Sequence, residues 1–231
     1  MDTIHYIHNI HYDWGMISDY YLKGGEVFMR QGDLDSACAV YSLMMMLIIH
    51  QRVNQYQLTT SNTDEIGYTS IKRLKNQFLY GIIGRYREGY TFDTLSAELQ
   101  QSFKKVATAT TYSTIKDRED QISKADLHNT IIDTIDAGYP VEIGFAYEGN
   151  RGGHAVVAVG YVPYKNRIQV LCLDPGHDLP ATAFWNVIIE IPLDFNHRRK
   201  YTDTYFTPDG KYEAVSVEEI LIIDEKKMHY E

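Results

Sequence analysis

A cysteine at the start of an apolar segment is the first residue of this sequence that could do chemistry. Cys38 lies directly before the run AVYSLMMMLII and shortly after Asp35 and Ser36, either of which can cap a helix. At a helix N-terminus, free backbone N–H groups and the positive end of the helix dipole stabilise a thiolate, the nucleophile of cysteine chemistry. The structural alternative for Cys38 is a small buried hydrophobic residue.

A histidine and an aspartate could supply a base for this thiol. His154 follows two glycines and opens the strand-like run HAVVAVGYV, whereas Asp174 follows the run RIQVLCL. Residues 163–166 join the two runs, so we predict a hairpin that brings His154 and Asp174 to the same end of a sheet. An orienting carboxylate would fix the imidazole tautomer so that the other ring nitrogen faces the thiol.

Simpler structural roles exist for the same residues. His154 could be a hydrogen-bonded core histidine, and Asp174 could cap an Asx-turn before Pro175. Cys172 lies two residues before Asp174, on the same face of the predicted strand, and is expected to pack in the core.

Gln31 is the fourth candidate. It lies seven residues before Cys38, in the segment RQGDLDSAC. Its side-chain amide could donate to a developing oxyanion, and the backbone N–H of Cys38 could supply a second donor. A single glutamine does not indicate an oxyanion hole, so this role for Gln31 depends on the other three candidates.

No motif in the sequence predicts a metal or cofactor site. His5, His8 and His11 recur at every third residue, a spacing that gives them no common face on a strand. They also lack cysteine or carboxylate partners at a spacing typical of metal sites. The sequence contains no phosphate-binding loop of the G-x-x-x-x-G-K-[ST] type. The candidate chemistry is therefore expected to need no cofactor.

The elements that must position the candidates begin with helices. Residues 36–51 are predicted to form a helix that is apolar almost all round, which indicates a central, buried position. Residues 51–137 are predicted to be mostly helical. The periodic segments within them are 66–79, 94–106 and 125–135.

Strand-like runs fill the chain from residue 138 onward, and residues 1–30 could add an edge strand or a hairpin. The predicted strands are 141–147, 154–162, 167–173, 185–191, 204–206, 212–217 and 221–223. Helices followed by strands, without the crossover pattern of a parallel sheet, predict an α+β fold with an antiparallel sheet. We expect one domain over 1–231, with its helical part at about 36–137 and its sheet part at about 138–224.

Composition and charge exclude several classes of protein. The 231 residues are 44% hydrophobic, which is enough for a substantial core. A balance of 31 acidic against 22 basic residues gives a net charge of -9, which argues against nucleic-acid binding and against docking on anionic membranes. Two cysteines do not make a disulfide scaffold, and no apolar stretch has the length of a membrane span. These features predict a cytoplasmic protein.

Taken in order, the four candidates resemble the papain-like cysteine peptidases. The nearest pattern is that of the bacterial double-glycine leader peptidases and their stand-alone relatives. The matching segments are QGDLDSACAVYSLMMML, GGHAVVAVGY and VLCLDPG. The resemblance implies a papain-like α+β fold, a thiolate–imidazolium pair of Cys38 and His154 oriented by Asp174, and an oxyanion hole from Gln31 and the Cys38 backbone. It also implies a protein or peptide substrate, cleaved at a peptide or isopeptide bond.

The sequence departs from that pattern near the nucleophile. The gap between Gln31 and Cys38 is one residue longer than usual, and Ala39 stands where relatives often have glycine. The same triad would also serve deamidation or acyl transfer on a protein glutamine, as in papain-fold bacterial effector toxins. A papain-like recognition module without activity is the third alternative, and the sequence does not separate the three.

Overall fold

The structure is a computed structural model. It describes residues 3–13, 16–19, 25–32, 36–59, 69–80, 89–149, 151–193 and 200–224. Of the features named above, Asp35, the side chain of His11 and residues 66–68 lie outside the described part.

The central helix, α1, spans Cys38–Ile49 and packs against the strands that follow later in the chain. It is buried almost all round, as its apolar sequence predicted. The predicted capping by Ser36 is wrong, because the N-cap residue is Ala37, whose side chain makes no hydrogen bond to the helix. Cys38 is therefore the first residue of α1. The backbone N–H of Ala39, one of the free N–H groups at the start of the helix, bonds the Cys38 sulfur.

Most of the described residues between 51 and 137 are helical, as predicted. The further described helices are α2 (Gln55–Thr59), α3 (Ser70–Lys75) with a π-helical turn (Asn76–Tyr80), α4 (Phe92–Ser102) and α5 (Lys124–Asp136). α4 begins two residues earlier than predicted because the Thr91 hydroxyl caps it, accepting from the N–H of Thr94 at 3.2 Å. No helix in the described ranges combines the length and apolar character needed to cross a bilayer.

One strand that was not predicted lies within this helical part. It is β5, Ala109–Ser113, and it pairs antiparallel with the end of a late strand, from Ala109 opposite Ile223 to Ser113 opposite Glu219. Its residues ATTYS suit a strand, but its partner lies about a hundred residues further along the chain. A pattern read over a short window therefore does not reveal this pairing.

The second part of the chain is an antiparallel sheet that closes on itself. Its strands are β6 (Val141–Tyr147), β7 (Gly153–Tyr164), β8 (Arg167–Leu173), β9 (Val187–Pro192), β10 (Asp203–Phe206) and β11 (Tyr212–Ile223). The order around the ring is β7-β6-β11-β10-β9-β8, and β8 pairs back with β7. The predicted α+β class with an antiparallel sheet is confirmed. The strands predicted at 212–217 and 221–223 form one continuous strand, β11. This strand has a bulge between Val217 and Glu219.

β7 and β8 form the predicted hairpin. Tyr164 pairs with Arg167 across a tight turn, in which Lys165 has a φ of 53°. The register shifts by one residue between Ala158 and Gly160. Because the turn is short, the beginning of β7 and the end of β8 lie at the same end of the ring.

The N-terminal residues supply short strands, as the sequence indicated. β1 (His5–Tyr6) pairs with β7, and β2 (Ile10–Asp13), β3 (Met16–Asp19) and β4 (Gly25–Glu26) form a separate three-stranded sheet. Buried apolar residues from α1, the other helices and the ring form one cluster, so the two parts of the chain share a core.

Candidate active site

A cleft of about 660 Å³ lies between the beginning of α1 and one end of the strand ring. Gln31 and Cys38 line it from the segment that leads into α1, His154 lines it from the beginning of β7, and Gly144 lines it from β6. Three of the four candidate residues therefore share this cleft. The fourth, Asp174, lies directly behind His154 and bonds its ring.

Cys38 is half-buried at the first position of α1. Burial alone would raise the pKa of the thiol, but the hydrogen bond and charge of His154, with backbone bonds from Ala155 and Ala39, lower it. One turn along α1, the Ser42 hydroxyl donates to the carbonyl of Ala155 at 3.3 Å. This bond ties α1 to β7 beside His154, so the helix presents a thiol that favours the thiolate.

The His154 ring lies between that thiol and a buried carboxylate. Its Nε2 is 2.8 Å from Asp174 Oδ1, which leaves Nδ1 as the nitrogen for Cys38. Burial alone would lower the pKa of His154, but the hydrogen bonds and charges of Asp174 and Cys38 raise it to about 10. The ring also packs edge-on against Phe145, with centroids 5.6 Å apart. At neutral pH His154 is therefore an imidazolium that donates from both nitrogens.

Asp174 is completely buried, and both of its carboxylate oxygens are engaged. Oδ1 accepts from His154 and from the backbone N–H of Gly176 at 2.6 Å, and Oδ2 accepts from the hydroxyl of Tyr205. Burial alone would raise the pKa of this carboxyl, but His154, Tyr205 and Gly176 together lower it. Asp174 is therefore an anion at neutral pH, and it stabilises the imidazolium.

The backbone of Asp174 is held by Asn186, a buried residue that precedes β9. The Asn186 Oδ1 accepts from the N–H of Asp174 at 2.7 Å. Its Nδ2 donates to the carbonyls of Asp174 at 2.8 Å and His177 at 2.9 Å. One amide thus bonds the turn after β8 at both of its ends, which fixes the direction in which Asp174 points.

Gln31 reaches the cleft from the segment before α1. Its backbone N–H donates to the carbonyl of Pro175 at 2.9 Å, and Arg30 pairs with Asp178 at 2.9 Å, so the segment is attached to the turn that carries Asp174. The Gln31 Oε1 atom is buried and has no hydrogen-bond partner among the described residues. An amide with unused hydrogen-bonding capacity beside the thiol can bind a polar group of a ligand.

Cys172 shows the opposite environment. It is completely buried in the core, as expected, and its sulfur donates to the carbonyl of Val170 at 3.6 Å. Burial, and then the charge of Asp174, raise the pKa of this thiol well above its usual value. The two thiols therefore differ, since the environment of Cys172 favours the neutral thiol and that of Cys38 lowers the pKa.

The sequence model of the Peptidase_C39 like family matches residues 27–193, which is well over half of the chain. The chain belongs to this family. Membership in the Peptidase_C39 like family supports a cysteine peptidase-type function, and the matched region contains Gln31, Cys38, His154 and Asp174. No curated protein matches the chain.

Two residues that hold Asp174 were not predicted as part of the site. Asn186 lies within the predicted strand 185–191, and Tyr205 lies within the predicted strand 204–206. Both act through contacts between segments separated along the chain, so no local motif marks them. The one available signal is that a tyrosine buried on a strand needs a partner for its hydroxyl.

Proposed function

We propose that this member of the Peptidase_C39 like family is a cysteine peptidase that cleaves a peptide or isopeptide bond. Cys38 is the proposed nucleophile, His154 the base and Asp174 the residue that orients the base. The observation that carries the proposal is the His154 ring, bonded to a buried carboxylate at 2.8 Å on one side and to the Cys38 thiol on the other. We also propose a papain-like fold close to that of the double-glycine leader peptidases. The order of Gln31, Cys38, His154 and Asp174 along the chain supports this part of the proposal.

The proposed reaction runs through an acyl-enzyme. The Cys38 thiolate attacks the carbonyl carbon of the scissile bond, and the electrons of the C=O bond move to oxygen. Collapse of this tetrahedral oxyanion reforms the carbonyl and expels the amine, which takes its proton from Nδ1 of His154. Water, deprotonated by the neutral His154, then attacks the thioester. A carboxylic acid leaves, and the thiolate and the imidazolium are restored.

Two donors are proposed to stabilise the oxyanion. The first N–H groups of a helix have no acceptor within it, and Cys38 is the first residue of α1. The side-chain amide of Gln31 lines the same cleft and is the proposed second donor. Each such donor contributes about a hundredfold or more to turnover in acyl-transfer enzymes.

A protein or peptide is the proposed substrate class. Membership in a peptidase family supports it, and so does a cleft of about 660 Å³, which can take several side chains of an extended chain. The proposed location is the cytoplasm. Both cysteines are free thiols, which is the state expected in that reducing compartment.

A thiol-directed experiment tests the proposed nucleophile. The protein is treated with iodoacetamide at neutral pH, and the modification of each cysteine is followed by mass spectrometry. Cys38 should be alkylated rapidly and Cys172 should not, because one lies in the cleft and the other is completely buried. His154→Ala should slow the alkylation of Cys38 roughly tenfold, because the thiol loses its cation. An unreactive Cys38 in the folded wild type would end the proposal.

Incubation with a proteome tests the reaction. New peptide termini that depend on Cys38 identify a peptidase, whereas mass shifts of about one dalton on glutamine side chains would identify the deamidase alternative. Cys38→Ser should give no products, since an imidazole tuned to a thiol activates an alcohol poorly. Cys172→Ser is the matched control and should give the wild-type products. Wild-type products from Cys38→Ser would contradict the proposal.

A further inference from the structure

Tyr205 approaches Asp174 from the side opposite His154. It lies on β10, is 2% exposed, and its hydroxyl donates to Oδ2 of Asp174. The other oxygen, Oδ1, already accepts from His154 and Gly176. Without Tyr205, Oδ2 would be a buried acceptor that has lost its donor, which is costly for a charged group.

The strand ring holds Tyr205 in place. Tyr205 pairs with Ile189 on β9 and with Glu213 on β11. Its ring packs on Phe145 and Tyr147, with centroids 5.1 Å and 6.3 Å away. A tyrosine held between two strands and two aromatic rings has little freedom, so its hydroxyl determines where the carboxylate oxygen lies.

Several other titratable groups surround the bond between Tyr205 and Asp174. Those that interact with it from the neighbouring elements are His154, Tyr147, Cys172, Glu213 and His177. Cys38 lies beyond the His154 ring, and the buried acid Glu142 lies near Cys38. Within the described residues, Tyr205 and His154 are the side chains that donate a hydrogen bond to the Asp174 carboxylate.

We infer that Tyr205 is a positioning residue, which holds the Asp174 carboxylate ionised and directed at His154. The inference rests on the proposed function, because the role exists only if Cys38 and His154 form an ion pair. Tyr205 lies beyond residues 27–193, the region that the family model matches. Loss of the hydroxyl favours the neutral acid, and a neutral Asp174 stabilises the imidazolium less. His154 then loses its proton at a lower pH, and the Cys38 thiolate loses its neighbouring cation there.

The pH dependence of Cys38 alkylation tests the inference without a known substrate. The rate constant for iodoacetamide is measured from about pH 3 to about pH 11 on the Cys38 peptide. Its acid limb reports formation of the thiolate, and its alkaline limb reports loss of the imidazolium proton beside it. Tyr205→Phe removes the hydroxyl and keeps the packed ring. Its alkaline limb should move to lower pH by about one unit, the effect of one hydrogen bond to a charged group.

Tyr161→Phe is the matched control. It removes a hydroxyl that also bonds a carboxylate, Asp136 at 2.9 Å, at a position that does not line the cleft. Its alkylation profile should equal that of the wild type, although its stability should fall as for Tyr205→Phe. A general loss of stability is thereby separated from a change at the thiol.

A second replacement at position 205 keeps the inference testable if the Tyr205→Phe variant does not fold. Site-specific incorporation of a ring-fluorinated tyrosine at position 205 keeps the hydroxyl and makes it a stronger donor, so the alkaline limb should move to higher pH. An unchanged alkaline limb in the folded variants overturns the inference. A wild type without a reactive thiolate near about pH 6 instead overturns the proposed function, and the inference with it.

Discussion

Three hydrogen-bond donors converge on the two oxygens of Asp174, and Asn186 holds its backbone. A buried carboxyl without such donors would take up a proton, and a neutral acid could not compensate an imidazolium. At the scale of single residues, the candidate site therefore depends on a chain of alternating charges. These are the Asp174 anion, the His154 cation and the proposed Cys38 thiolate, and each lies where it would be unfavourable alone.

Asp174→Ala is expected to lower the pKa of His154. In the wild type, Asp174 and Cys38 raise the pKa of the ring to about 10, against the effect of burial. Without the carboxylate, burial dominates and should bring the pKa toward or below its ordinary value of 6.5. The chemical shift of the His154 Cε1 proton, titrated by NMR and assigned by its loss in His154→Ala, measures this change.

Asp174→Asn and Asp178→Ala complete that experiment. Asparagine keeps an oxygen that accepts from the ring N–H but has no charge, so the pKa of His154 should fall less far than in Asp174→Ala. The side chain of Asp178 is 91% exposed and pairs with Arg30, so Asp178→Ala should leave the titration unchanged. If His154 titrates at the same pH in the wild type and in Asp174→Ala, Asp174 is only a turn residue.

At the scale of elements, the site forms where the beginning of α1 meets the hairpin of β7 and β8. The hairpin brings His154 and Asp174 to one end of the ring, and the bond from Ser42 to the Ala155 carbonyl fixes α1 beside them. The register of two strands and one buried hydroxyl thus determine which side chains can touch. Side chains of α1 and β7, which lie 113 residues apart in the case of Ser42 and Ala155, become neighbours in this way.

The elements that could be predicted from the sequence are those with a strong local pattern. β6 and β8 have their predicted bounds, and the short connection between β7 and β8 was sufficient to predict their pairing. β5 was not predicted, because its pairing depends on a distant strand. Asn186 and Tyr205 were not identified as part of the site either, because a hydrogen bond between distant segments leaves no periodicity in either of them.

Gly160→Ala is expected to displace β1 from β7. A Cβ at position 160 would lie 2.6 Å from the carbonyl oxygen of His5 and 3.1 Å from Cβ of Tyr6, closer than packed atoms allow. The free energy of unfolding, measured with urea, should fall by about 1–3 kcal/mol, the usual cost of overpacking. Alkylation of Cys38 should stay at the wild-type rate, because Gly160 does not line the cleft.

A truncated protein that lacks residues 1–6 is the control for this substitution. If contact with β1 causes the loss of stability, Gly160→Ala should have little effect in the truncated protein. An equal loss with and without these residues would show that the cost arises within β7, at the register shift next to Gly160.

At the scale of the whole molecule, a mostly helical part and a closed ring of strands share one core. α1 packs on β6 and β7, so the cleft lies where the two parts of the chain meet. Any movement between them would separate Cys38 from His154, and the stability of this junction is therefore a condition for the proposed activity. The extent of the domain, residues 1–231, stays a prediction.

An unusual acid lies close to this junction. Glu142 on β6 is completely buried, and neither of its carboxylate oxygens has a hydrogen-bond partner within the described part of the chain. Burial, and then the nearby charges of Cys38 and Glu219, raise the pKa of this carboxyl well above its usual value. Burial therefore favours the neutral acid form of Glu142 in the folded protein.

Glu142→Gln is expected to remove part of the pH dependence of stability. In the unfolded chain, Glu142 loses its proton near its ordinary pKa of 4.5, whereas the raised pKa lets the folded protein hold this proton to a higher pH. The folded state then binds one more proton, so the free energy of unfolding falls as pH rises above the unfolded value. For this group the slope is about 1.4 kcal/mol per pH unit. Glutamine has nearly the same shape and releases no proton in this range, so the slope should disappear.

Urea unfolding of the wild type and Glu142→Gln at several pH values between about 4 and about 8 measures this difference. The two proteins should be similarly stable at the acid end, and the variant should become progressively more stable than the wild type as pH rises. His154 and Asp174 titrate in both proteins, so their contributions cancel in the comparison. Glu148→Gln, at an exposed position just after β6, is the matched control and should follow the wild type. Parallel curves for the wild type and Glu142→Gln would mean that the folded protein holds Glu142 as a carboxylate, with a cation or donor to stabilise it.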